Sequence, residues 1–187
     1  MAYKVATGPA TEPVSLAEAK AQLRVEHNDE DTLILSLISA ARRKLEQETG
    51  RALLSQTITE YWDEWPTDGI FELSIYPVTA VTSFQYIDTD GATNAWPSDN
   101  YHTSFTGMSV RIWTDPEIDA PDLGDYPDAV QISYTAGESA VTDVPPELKH
   151  AILTTVALLY ERREDMPLGN GVRTAQWLQF GSRKHLI

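Results

Sequence analysis

The sequence predicts an α+β fold: a helical base of two N-terminal helices and one C-terminal helix, an antiparallel β-sandwich or barrel lobe inserted between them, and an extended C-terminal tail. Three observations predict it. Apolar side chains recur at helical spacing from Asp29 to Gly50 and again from Leu148 to Asp165. Between them, from Gln56 to Ala136, apolar and polar residues alternate in short runs broken by turn formers. Finally, Pro167, Gly169 and Gly171 end the last helical pattern and release the remaining residues.

After a Pro- and Thr-rich lead, Ser15-Leu16-Ala17-Glu18 reads as a capping box, with a helix starting at Leu16 and fading before His27-Asn28-Asp29. The second helix has start and stop signals of its own. Asn28 or Asp29 can cap it, Asp29, Glu30 and Asp31 suit the positive end of its dipole, and Gly50 can close it in the left-handed conformation. Leu33, Leu37, Ala41, Ile34, Leu45 and Ile38 share an arc of about 140° at 100° per residue. Leu35 lies about 60° beyond Ile38, so it makes a second contact or is left for another molecule.

Strands are expected over 56–63, 71–76, 81–87, 101–105, 108–114 and 129–135. Phe71, Leu73, Ile75 and Val130, Ile132, Tyr134 alternate with polar residues, as do Val110 and Ile112 around Arg111. Pro66–Gly69, Asp88–Gly91, Pro97–Asn100 and Thr106-Gly107 supply turns, so neighbouring strands should be antiparallel. DPEIDAPDLGDYPD, after Thr114, has no periodicity and three prolines, the marks of a long surface loop. The last helix opens at Pro145-Pro146, where a missing amide costs little. Its apolar arc, from Leu158 and Ala151 through Leu148 to Leu153, spans about 220°, which fits either a thick core or a helix held between its own domain and something else. The expected boundaries are 13–55 with 143–166 for the helical base, 56–142 for the β lobe and 167–187 for an arm.

At 187 residues the chain can build a core without staples. With no cysteine, disulfides, thiolate metal sites and thiol nucleophiles are excluded. The start lacks a signal-peptide pattern and no apolar run approaches the roughly 20 residues of a membrane span, so a soluble, cytoplasmically made protein is expected. A formal net charge of -14 argues against a phosphate-gripping surface.

Between Glu60 and Asp143 there are 16 acidic side chains and one basic one, Arg111. This lobe is a field that repels polyanions, a set of oxygen ligands for calcium, or simply a soluble surface. Asp115, Glu117 and Asp119 are spaced like alternate calcium ligands, but the loop lacks the glycine and closing glutamate of an EF-hand. Asp63 and Glu64 are adjacent on a strand and point to opposite faces, so they cannot flank a glycosidic bond, and packing accounts better for Trp62 and Trp65. The four histidines, His27, His102, His150 and His185, show no metal-binding spacing, and no nucleophile elbow or phosphate loop is present. No catalytic, metal or cofactor site is expected. The tail VRTAQWLQFGSRKHLI reverses the charge, with Arg173, Arg183 and Lys184 and no acid. Its Trp177, Leu178 and Phe180 suit an arm that docks on a partner or a neighbouring subunit, or a tail packed on its own domain.

The order of features carries a resemblance. Pro13-Val14-Ser15-Leu16-Ala17-Glu18-Ala19-Lys20 with Leu23 is followed by Asp29–Asp31, Leu37-Ile38, Ala40-Ala41-Arg42, Glu46 and Thr49-Gly50-Arg51. Then come Tyr76-Pro77-Val78, Asp88–Gly91, Tyr134-Thr135-Ala136-Gly137, Val144–Ile152 and Tyr160–Glu164. The series, over about residues 13–165, resembles the head-tail connector, or adaptor, proteins of tailed double-stranded DNA phages and gene transfer agents.

The resemblance implies a non-enzymatic virion protein at the head-tail interface, made in the host cytoplasm, without cofactor and without membrane contact. It would form a homo-oligomeric ring under the portal, twelvefold to match it, extending the DNA channel and offering a docking surface to a stopper or other head-completion protein and the tail. Leu35, Arg43, Ala151, Leu158 and Arg162 are then candidates for subunit contacts. Arg173, Trp177, Leu178, Phe180, Arg183 and Lys184 are candidates for a portal-binding arm, inferred from charge and place. Asp115, Glu117, Asp119, Asp122 and Asp125 are candidates for an acidic lumen past which DNA slides without specific binding. The alternative is a β-lobed virion decoration protein or a carbohydrate- or calcium-binding module.

Overall fold

The computed structural model describes residues 2–105 and 110–161. In chain order these form β1 (Ala2–Thr7), α1 (Leu16–Leu23), α2 (Asp31–Thr49), β2 (Gln56–Trp62), β3 (Ile70–Glu72), β4 (Val78–Ile87), β5 (Thr93–Ala95), β6 (Tyr101–Ser104), β7 (Arg111–Thr114), β8 (Val130–Ala136) and α3 (Pro146–Glu161). The fold is α+β, as expected. Its described residues divide into a helical unit, 11–49 with 140–161, and a β unit, 2–10 with 50–139.

In the helical unit, Ser15 caps α1 as the sequence predicts. Its hydroxyl accepts from the Glu18 amide at 3.2 Å while the Glu18 carboxylate accepts from the Ser15 amide at 2.7 Å. The Ser15 hydroxyl also donates to the Glu18 carboxylate at 2.6 Å, and that bond first and the one from the Ser15 amide second hold the Glu18 carboxyl below its ordinary value. α2 starts at Asp31 rather than Asp29 and ends before Gly50, which has φ +65°. Ala19, Ile34, Ile38, Ala41, Leu45, Leu148, Ala151, Ile152 and Val156 are buried.

The buried arc of α2 is rotated by about 50° from its apolar arc. Arg42 is the cause. At 5 % exposure it takes the far edge of the buried face, its Nε donating to Glu12 at 2.7 Å and its Nη1 to Glu46 at 2.6 Å. Leu33, expected inside, is left 37 % exposed, and Leu37 is only half buried.

The β unit is a sandwich of two antiparallel sheets, one ordered β1-β2-β8-β4-β5 and the other β3-β7-β6. Ile58, Phe84, Ile132 and Tyr134 from the first share one core with Phe71 and Ile112 from the second. β1 and β5 are not foreseen by the sequence reading. β1 has no buried residue and β5 has three residues, so neither shows the alternation that marks a half-buried strand. The strand expected over 71–76 ends at Glu72, although Leu73 and Ile75 still enter the core. The one expected over 108–114 begins at Arg111, and residues 106–109 lie outside the described residues.

Candidate interaction surfaces

Short polar links fix the exposed faces of the helical unit. Lys20 Nζ donates to Asn28 at 2.7 Å and to Asp31 at 2.8 Å, which ties α1 to the start of α2. Tyr160, near the end of α3, donates its hydroxyl to Glu30. On the framework so held, Leu35 is 48 % exposed and Arg43 is exposed, about 80° apart on α2. Leu158 is half buried on α3. Ala151 is 4 % exposed and packs with Leu148 and Ile152 among the buried residues of α3. Arg162 lies outside the described residues.

In the β unit, the acidic stretch after β7 is a loop, as its prolines predict, but one with many anchors. Trp65 Nε1 donates to the Pro121 carbonyl at 3.0 Å, and the Gly124 amide donates to Ile87 at 3.1 Å. The Asp128 amide donates to Asp63 at 2.9 Å. A side chain at Gly124 would meet the Asp88 carbonyl at 2.4 Å and the Tyr126 ring at 2.6 Å, so the loop closes against the end of β4 only with glycine there.

Asp115 is half buried, accepting from the Glu117 amide at 2.9 Å, while Glu117, Asp119, Asp122 and Asp125 are exposed. Among the described residues no group of three or more His, Asp or Glu is gathered as a metal would require. Asp63 and Glu64 are both exposed. Trp62 and Trp65 pack edge-on to Phe71, with ring centroids 5.0 and 5.9 Å apart.

Two features escape the sequence reading. Glu60, on β2, is 0 % exposed. Its Oε1 accepts from the Ser74 amide at 2.9 Å, the Ser74 hydroxyl at 2.7 Å and the Tyr134 hydroxyl, while its buried Oε2 has no partner. Burial first, then the Glu60 charge and hydrogen bond, push the Tyr134 phenol well above its ordinary value. The signal was available, because alternation from Ile58 puts Glu60 on the apolar face of the strand. The other feature is β1, where all six residues are exposed.

Arg173, Trp177, Leu178, Phe180, Arg183 and Lys184 lie outside the described residues.

Residues 13–81 match the family model described as phage gp6-like head-tail connector protein. That span runs from the turn before α1 through both helices into β4. No curated protein matches the chain. Among solved structures, a chain from the neck of an empty gene transfer agent particle computed with C6 symmetry is 24 % identical, with TM-score 0.77, covering 90 % of this chain and 88 % of that one. A chain from the virion of a native gene transfer agent particle is 24 % identical, with TM-score 0.76 and coverage of 90 % and 91 %. A third, from the neck of a native particle computed with C12 symmetry, is 24 % identical, with TM-score 0.72 and coverage of 90 % of each chain. Residues 13–81 therefore carry the sequence pattern of the phage gp6-like head-tail connector family, on a chain with the fold of gene transfer agent neck chains.

Proposed function

We propose that this protein is a head-tail connector: a structural, non-enzymatic subunit of a ring beneath the portal, at the head-tail interface of a virion or gene transfer agent. The observation that carries the reading is the coincidence of the family match over 13–81 with the neck-chain fold over 90 % of the chain. In this reading the homo-oligomeric ring has twelve subunits, matching the portal, and extends the channel through which DNA leaves. Head-to-tail contacts between identical surfaces close a ring when the rotation per subunit permits. Leu35, Arg43 and Leu158 stand where such contacts can reach them.

The charge fits a channel component. A surface of net charge -14 repels phosphates, so DNA passes without the counterion release that drives binding. The exposed carboxylates of Glu117, Asp119, Asp122 and Asp125 stand on an anchored loop that can hold such a field in place. The basic tail is the arm that reaches the acidic or apolar surfaces of the portal, and the β unit offers the docking surface to a stopper or the tail.

The test is binding of the full chain, and of the chain lacking residues 172–187, to purified portal complexes by co-sedimentation. The full chain should co-sediment and the truncated chain should bind more weakly while keeping its circular dichroism and melting temperature. A full chain that stays in the supernatant would overturn the reading. A rise in melting temperature with calcium or glycans would instead support a binding module.

A further inference from the structure

The five-stranded sheet ends in two strands of unlike character. β1 presents six exposed residues with no proline and no acid. Its partners in register show that one side of it belongs to the core face: Tyr3 stands opposite Glu60 and Val5 opposite Ile58, which are 0 % and 1 % exposed. Yet Tyr3 is 47 % and Val5 44 % exposed, so the core face of the sheet runs on uncovered past β2. An uncovered edge of this kind is a template for another strand.

The other end is β5, preceded by the turn Asp88-Thr89-Asp90-Gly91 and followed by Asp99. Asp88 is engaged within that turn, its Oδ1 accepting from the Asp90 and Ala92 amides and its Oδ2 from Asn94. Asp90 is exposed. By contrast, residues 1–11 carry Lys4 and no acid, in a chain of net charge -14. Lys4 therefore draws β1 toward another copy rather than keeping it away.

We propose that β1 of one copy pairs with β5 of the next, so that the large sheets run on from subunit to subunit around the ring; this rests on the ring reading above. Every pairing from β1 through β2, β8 and β4 to β5 is antiparallel, so β1 and β5 run the same way, and the contact between copies is parallel and head-to-tail. Such a contact is heterologous and propagates, whereas β1 against β1 closes a dimer and stops.

The chain has no cysteine, so cross-links can be placed cleanly. Thr93 and Ala95 pair with Ile87 and Gln85, on the side of the sheet away from Tyr86, and Ala2 and Lys4 lie on the side away from Tyr3 and Val5, before the bulge between Val5 and Thr7. The double variants Ala2→Cys with Thr93→Cys and Lys4→Cys with Thr93→Cys cover the two registers that lay the whole of β5 along β1 with these sides together. Within one chain the two strands are four spacings apart, about 19 Å, too far for a disulfide.

Assembled particles, formed alone or on portal complexes, are oxidised, run on a denaturing gel and imaged in parallel. The expected result is a ladder of covalent multiples of 20.8 kDa in one of the two variants, none in the wild type, and rings in the images. Rings without a ladder in either variant overturn the strand pairing and leave the ring standing. Absence of rings, alone and on portal, overturns the ring and the pairing with it.

Discussion

Among the described residues each compact unit buries one side chain of the Asp, Glu, Lys and Arg set, and the two are handled in opposite ways. In the helical unit Arg42 is met by two carboxylates, Glu12 from 30 residues away and Glu46 from the next turn. Burial works to lower its guanidinium, but the hydrogen bond to Glu12 and the charges of Glu46 and Glu12 raise it above its ordinary value. In the β unit Glu60 is met by neutral donors from Tyr134 and Ser74. The first is an ion cluster, in which each charge is needed because the other is present. The second is a hydrogen-bond hub joining β2, β8 and the segment after β3, in which the acceptor atom matters more than the charge.

Substitutions can break this contrast, taken site by site from the largest effect to the smallest. Glu60→Ala should cost about 4 kcal/mol in chemical denaturation, because it leaves the buried Tyr134 hydroxyl and the two part-buried Ser74 donors without their acceptor and opens a cavity. Glu60→Gln keeps the accepting oxygen and should cost about 1 kcal/mol; equal losses from the two variants would show that the charge itself is required. Arg42→Ala should cost about 3 kcal/mol, reduced by about half when Glu12 and Glu46 are both replaced by Gln, since the uncompensated carboxylates are then gone. Additive losses would contradict the ion cluster.

Tyr134→Phe should cost about 2 kcal/mol at neutral pH. It also carries a pH signature. The folded phenol has its pKa raised above the unfolded value of about 10, so its stabilisation is full below about pH 10 and is lost as the pH rises beyond it. Wild type should therefore lose stability in that alkaline range more steeply than Tyr134→Phe, as read by melting temperature against pH. Ser15→Ala, at an exposed cap, should cost about 1 kcal/mol. Leu158→Asp, at a half-buried position, should impair assembly measured by sedimentation more than it impairs folding; unfolding at this step would make the residue part of the core.

The sequence was most readable where the determinants are local. The Ser15–Glu18 box, Gly50 and the prolines before α3 each act within a turn, and the helix ends they mark, at Leu16, Thr49 and Pro146, fall within two residues of expectation. It was less readable where an ion pair or an edge intervenes. Arg42 looks polar until Glu12, far away in sequence, neutralises it, so the apolar arc of α2 pointed about 50° from the buried one. β1 is held by pairing with β2 and has no buried side, so periodicity could not announce it. Among the candidate residues, Leu35, Arg43, Glu117, Asp119, Asp122 and Asp125 stand at the surface and Asp115 is half buried, whereas Ala151 lies inside because its small side chain sits on the arc shared with Leu148 and Ile152.

The central claim is a ring, and the solution mass tests it most directly. Light scattering on a sizing column, with electron-microscope class averages of the main peak, should give a closed ring of many 20.8 kDa subunits, alone or after mixing with portal complexes. A species that stays at 20.8 kDa under both conditions would contradict it.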